Sequence, residues 1–129
     1  MNVIRANFEN NPMLMYAMTK SPEIISVSKL ADGDVLEVHK WLFYDDLNSK
    51  EETVSLLSFQ DENGCVYATQ SDTFKGSFDE ILDIILDAGG NDKTVFTIKK
   101  ISGTAKSGRE YINCVLVGIA SYDNTDSVK

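Results

Sequence analysis

The sequence predicts a mainly-β domain: a five-stranded barrel with one helix between its third and fourth strands. Three observations predict it. Short runs rich in Val, Ile, Leu and aromatic residues recur between turn signals. One stretch alone, near residues 77–88, changes to helical period. The chain has 129 residues, 43% of them hydrophobic and 25% charged, which suits one domain with a core of its own.

Residues 1–22 are expected to form an arm packed on the barrel. Residues 3–8 suit a short strand, Asn10, Asn11 and Pro12 a turn, and residues 13–18 a helical turn or a strand laid over the core. Residues 23–28 alternate weakly. Residues 34–44 form the first long strand candidate, 52–59 the second and 65–69 the third. Asn63-Gly64 marks a hairpin between the last two. Phe78, Ile81, Leu82 and Ile85 then fall at i, i+3, i+4 and i+7. Ser77 with Glu80 reads as a capping box at the helix start, and Gly89-Gly90 as its stop. Residues 94–101 and 110–120 are the fourth and fifth strands, and 121–129 a flexible tail. This order, three strands, a helix and two strands, is that of the OB-fold, a Greek-key barrel that often binds oligonucleotides. The barrel domain is assigned to residues 23–120.

Composition excludes several classes of function. A net charge of −8 speaks against a protein that is basic all over. No apolar run approaches the roughly 20 residues of a membrane span, and residues 1–18 mix Arg5, Glu9 and four Asn with their apolar residues, unlike a secretory leader. A cytoplasmic setting is expected, with Cys65 and Cys114 as small buried thiols. The one histidine, His39, has no nucleophile beside it, and no metal or phosphate-loop spacing occurs. The acid pairs Asp45-Asp46 and Glu51-Glu52 point to opposite faces if they lie on strands. Neither catalysis nor a cofactor is expected.

Charge distribution points to binding. Residues 93–109 hold Lys93, Lys99, Lys100, Lys106 and Arg109 and no acid, whereas the rest of the chain holds seven bases and twenty acids. Such a strip suits a polyanion, although a solvated edge hairpin protected by lysines has the same composition. Strand alternation adds rings. With Leu36, Val38 and Leu42 facing inward, Glu37, His39, Trp41 and Phe43 face outward. Tyr67 and Tyr111 face outward by the same argument. Exposed rings on a sheet are stacking platforms for single-stranded nucleic acid, and lysines nearby track its phosphates.

Three stretches also carry a family resemblance: residues 30–37 (Leu-Ala-Asp-Gly-Asp-Val-Leu-Glu), residues 50–54 (Lys-Glu-Glu-Thr-Val) running on through Phe59 to Gly64 and Tyr67, and residues 96–101 (Phe-Thr-Ile-Lys-Lys-Ile) with Gly103, Lys106, Ser107 and Gly108. In these the chain resembles the single-stranded-DNA-binding proteins of tailed bacteriophages, notably those with protein-primed replication. The resemblance implies an OB-type barrel that coats exposed single strands during phage DNA replication, in the host cytoplasm, with no catalytic residue and no cofactor. Lys99, Lys100, Lys106 and Tyr67 lie in the matching stretches; Trp41 and Phe43 rest on alternation alone. Single-stranded DNA is the expected partner, with replication proteins such as a DNA polymerase and a second copy of the chain as further candidates. Two other readings compete: a small acidic protein that mimics DNA or inhibits a host nucleic-acid enzyme, and a structural phage accessory protein.

Overall fold

The computed structural model describes residues 1–119, so the expected tail at 121–129 lies outside the described residues. The architecture is mainly β, with two helices and a short 3-10 turn. In chain order the elements are β1 (Asn2–Ala6), α1 (Pro12–Thr19), β2 (Ile25–Ser26), the 3-10 turn Val27–Lys29, β3 (Val35–Val38), β4 (Lys40–Leu47), β5 (Thr53–Gln60), β6 (Val66–Thr69), α2 (Asp72–Asp87), β7 (Phe96–Thr104) and β8 (Glu110–Ile119). They form a five-stranded sheet in the order β1-β4-β5-β6-β2 and a three-stranded sheet in the order β3-β7-β8. All pairings are antiparallel except β2 with β6.

Eight strand segments therefore replace the five expected. Two are additions from the N-terminal part, β1 and β2. The third comes from a break in the long strand at residues 34–44. His39 N–H donates to the carbonyl of Gln60, which also stands opposite Lys40 in the β4–β5 register. Two residues thus face one, as in a β-bulge, and the strand bends there from one sheet into the other. The side-chain phase slips with it. Leu36 and Val38 face the main core, and so do Trp41 and Phe43, at a spacing of three across the bend rather than two. Leu42, expected inside with Val38, lies instead on the opposite face, in the second core cluster.

Asn7 holds this bend. Its side-chain oxygen accepts from Trp41 N–H at 2.9 Å, and its side-chain nitrogen donates to the carbonyls of His39 (3.0 Å) and Asp92 (3.1 Å). The residue is buried, so these groups have little access to water.

The five-stranded sheet is covered on both sides. Its inner face carries Trp41, Leu57, Phe59 and Tyr67 against α2 and the other sheet. Its outer face carries Leu42, Tyr44 and Val66 beneath Met18 of α1, with Leu14, Met15 and Phe8 around them. Residues 13–18, expected as a helical turn or a strand, lie in helix α1: Asn11 caps the N–H groups of Met13 and Leu14, and Pro12 occupies the first turn. Helix α2 buries Phe74, Phe78, Ile81, Leu82 and Ile85. The expected stripe is correct, but the start is not. Ser71, not Ser77, is the N-cap, accepting from Phe74 N–H at 3.1 Å. Phe74 extends the stripe one turn upstream across Gly76, which masked it. At the other end the chain leaves the helix at Gly89-Gly90, as expected, with Gly90 N–H donating to the Ile85 carbonyl.

The Asn63-Gly64 hairpin forms between β5 and β6. Gly64 has a φ of 84°, which a side chain would strain, and Asp61 accepts from the N–H groups of Asn63 and Cys65. This turn leaves Cys65 exposed, which corrects the expectation that both thiols are buried. Cys114 is buried against α2, and burial pushes its thiol up to about 12. A thiol-reactive probe should therefore modify Cys65 in the native protein and Cys114 only after unfolding, read by intact mass. Replacing Asn7 by Ala should destabilise the chain by about 2–3 kcal/mol in urea titrations, because it orphans buried backbone groups at the bend.

Candidate nucleic-acid interface

The structure divides the ten expected binding residues into two sets. Six are engaged in the fold. Trp41 is fully buried, edge-on to Phe43 at 5.9 Å, with the Arg5 guanidinium over its ring at 5.2 Å. Phe43 is half-buried and packs edge-on against Phe78, also at 5.9 Å. Tyr67 faces the core and stacks on Phe59 at 5.7 Å; burial pushes its hydroxyl pKa up, helped by nearby Asp61. These three rings are core, not platform. The reason for the first two is the phase slip at His39; for Tyr67 it is register opposite Phe59. His39 pairs with Glu37 at 2.7 Å.

Two of the lysines are also tied up. Lys100 is buried and spans Asp32 Oδ1 at 2.9 Å and Ser102 Oγ at 3.1 Å. The Ser102 hydroxyl, and then the Lys100 ammonium, hold the Asp32 carboxyl below its usual range. Lys93 donates to the carbonyl of Asn7, bracing the bend from the far side. Elsewhere Arg5 pairs with Asp79 and Asp92, Lys20 with Asp46, and Lys75 with Asp72.

The second set is Lys99, Lys106, Arg109 and Tyr111, and all four lie on the β7–β8 hairpin. Lys99 is outward on β7 between buried Ile98 and Lys100. Lys106 and Arg109 are exposed in the connecting loop, closed by Ala105 N–H to the Arg109 carbonyl at 2.8 Å. None of these three cations has an ion-pair partner among the described residues. Tyr111 is 39% exposed and stands opposite Gly103 in the ladder. Its ring lies over that glycine: a Cβ at position 103 would come within 2.4 Å of the Tyr111 hydroxyl. The glycine thus seats the ring flat across the hairpin, a pairing found where a strand lacks a side chain.

Arg109 and Tyr111 line one end of a groove of about 580 Å³ between β8, the end of β6 and the start of α2. Its walls include Ser28, Gln70, Ser71, Thr73 and Ser102, neutral groups that donate and accept, together with the acids Asp72 and Glu110. A second cavity of about 400 Å³ shares Ser28, Gln70 and Ile112 and carries the groove on to Ile24, Leu56 and Ala68. Gln70, Ser71 and Thr73 are consecutive with Asp72 and carry no spacing signal, so sequence reasoning did not reach them. Among the described residues no three His, Cys, Asp or Glu side chains gather as a metal would require, and no helix is long and apolar enough to cross a membrane. No family model, curated protein or solved structure matches the chain.

The Asp32–Lys100 pair gives a pH prediction. A carboxyl held low in the folded state contributes stability above the ordinary Asp range, and the contribution is lost as pH falls through the folded value. Asp46, held low by Lys20 and then by the Leu47 N–H, adds to the same trend. Urea midpoints of wild type and Asp32→Asn should differ steadily from neutral to mildly acidic pH, and converge as pH drops well below about 4.

Proposed function

We propose that this chain is an OB-type protein that binds single-stranded DNA without sequence preference, coating and protecting it during phage DNA replication. The strand connections support the barrel type. The bent β3–β4 strand pairs with β5 on one side and β7 on the other, β7 pairs with β8, and the helix stands between β6 and β7. The addition β1 extends the first sheet at β4, whereas β2 takes the edge of β6 on which β8 would close the barrel.

The observation that carries the functional reading is that Lys99, Lys106 and Arg109, all without ion-pair partners among the described residues, lie on the same hairpin as the exposed ring of Tyr111, and that Arg109 and Tyr111 line one end of a groove. In a chain of net charge −8, three uncompensated cations on one hairpin form a local field that draws a polyanion. Tyr111 offers a π-face to any base, and the Ser, Thr and Gln side chains of the groove can bond base edges without selecting one. A duplex hides its base faces and binds more weakly on this scheme. The acidic remainder limits adsorption elsewhere.

Fluorescence polarisation with labelled oligo-dT over a range of salt tests the reading. Wild type should bind, with affinity falling steeply as salt rises. Tyr111→Ala should lose roughly 5- to 150-fold, the equivalent of one base stack at ~1–3 kcal/mol. Replacing Lys99, Lys106 and Arg109 together by Gln should lower the salt slope by about 2, at ~0.7 per phosphate contact. Absence of binding at low salt would overturn the proposal. Trp41 emission should not respond to DNA, because the ring is fully buried.

A further inference from the structure

Helix α2 presents a second surface. Glu80, Asp83, Ile84 and Asp87 recur at i, i+3, i+4 and i+7, so they form one stripe. The stripe is exposed, with Ile84 57% accessible at its centre. None of its three acids has an ion pair or hydrogen bond to a side chain among the described residues. The stripe works against its own helix. Asp83 and Asp87 repel each other at i, i+4, and both sit toward the negative end of the dipole, where the last turn has no base. A local choice that opposes the helix and gains nothing within the chain is a mark of a surface used in contact.

The outer face of the three-stranded sheet has the complementary pattern. Val35, Lys99 and Val115 stand directly opposite one another across β3, β7 and β8, and residues so paired share a face. Val35 is 57%, Val115 37% and Val117 49% exposed, which makes an apolar patch with a cation at its middle. Lys106 and Arg109 lie at the hairpin end of this sheet. The acid on this face, Glu37, is bonded to His39 at its far end.

We infer that two copies of the chain associate head to tail, the α2 stripe of one seated on the β3-β7-β8 face of the next. Ile84 meets the valines, and Glu80, Asp83 and Asp87 surround Lys99. The occupant is a second copy because the same chain carries an apolar centre ringed by acids and an apolar face centred on a cation. Both surfaces remain open after one pairing, so the association is heterologous and extends beyond a dimer. The inference shares Lys99 with the DNA reading, and its test contains no nucleic acid, so the two fail separately.

Sedimentation velocity of nuclease-treated protein, over a wide concentration range at low and high salt, tests it. Wild type should grow in mass with concentration at low salt and return toward monomer at high salt. Ile84→Asp removes the stripe and Lys99→Glu removes the sheet face; each should weaken association by roughly thirtyfold or more, as a central contact does. An equimolar mixture of the two variants should form a dimer and stop there, since each retains one intact surface. Circular dichroism on each variant establishes that it is folded. A wild type that stays monomeric overturns the inference and leaves a basic segment of another protein as the stripe's occupant. Variants that assemble like wild type, or a mixture of folded variants that stays monomeric, also overturn it.

Discussion

The bend at His39–Lys40 governs this structure. An uninterrupted strand from residue 35 to residue 47 would put Val38 and Leu42 on one side and Trp41 on the other. The extra residue opposite Gln60 moves Trp41 and Phe43 to the side of Val38, and hands Leu42 and Tyr44 to α1. One irregularity thereby creates two cores. It also explains why a buried Asn survives at position 7: the bend leaves backbone groups that only a side chain with both donor and acceptor can satisfy in one place. The arm is bound into the fold at that point rather than resting on it, with Lys93 closing the contact from the start of the second hairpin.

The two cores set where a ligand can bind. The outer face of β4–β6 is sealed by Met18 and its neighbours. The rings of Trp41, Phe43 and Tyr67 are used for packing on the inner face. The magnitudes favour this. Burying roughly 200 Å² of an aromatic side chain at about 25 cal/mol/Å² is worth ~5 kcal/mol at all times. A base stack returns about 1–3 kcal/mol, and only while DNA is present. What remains is the β7–β8 hairpin, on which Lys99, Lys106 and Arg109 have no ion-pair partner among the described residues. Lys99 and Tyr111 are held by backbone pairing between β7 and β8, and β8 in turn packs against α2.

Electrostatics separates the chain's cations by use. Lys100, Lys75, Lys20 and Arg5 each answer an acid, and their contribution is to hold elements together. Lys99 stands next to Lys100 in sequence yet faces the other way, so one lysine fastens the Asp32 turn and the other faces solvent. Adjacent residues on a strand always divide in this way. A count of charges in a window cannot show it.

By itself the sequence determined the elements whose signal is local. The α2 stripe, the Asn63-Gly64 hairpin, the Asn11-Pro12 turn and the Gly89-Gly90 stop follow from side-chain period and from φ preferences, and all are found. The basic strip was legible too, and Tyr111 was placed outward by alternation that holds from Tyr111 to Leu116, before the irregularity at Val117. Alternation failed in β4, because a bulge costs no residue type and leaves no mark in the sequence. The tertiary structure alone decided that Trp41, Phe43 and Tyr67 are core, that Lys100 and Lys93 are internal fasteners, and that the candidate interface contracts to Lys99, Lys106, Arg109 and Tyr111. The physical reason is common to all three. Which face of a strand is buried, and which charge is answered, depends on what another segment brings to it: Asn7 to the bend, α1 to the outer face, Asp32 to Lys100.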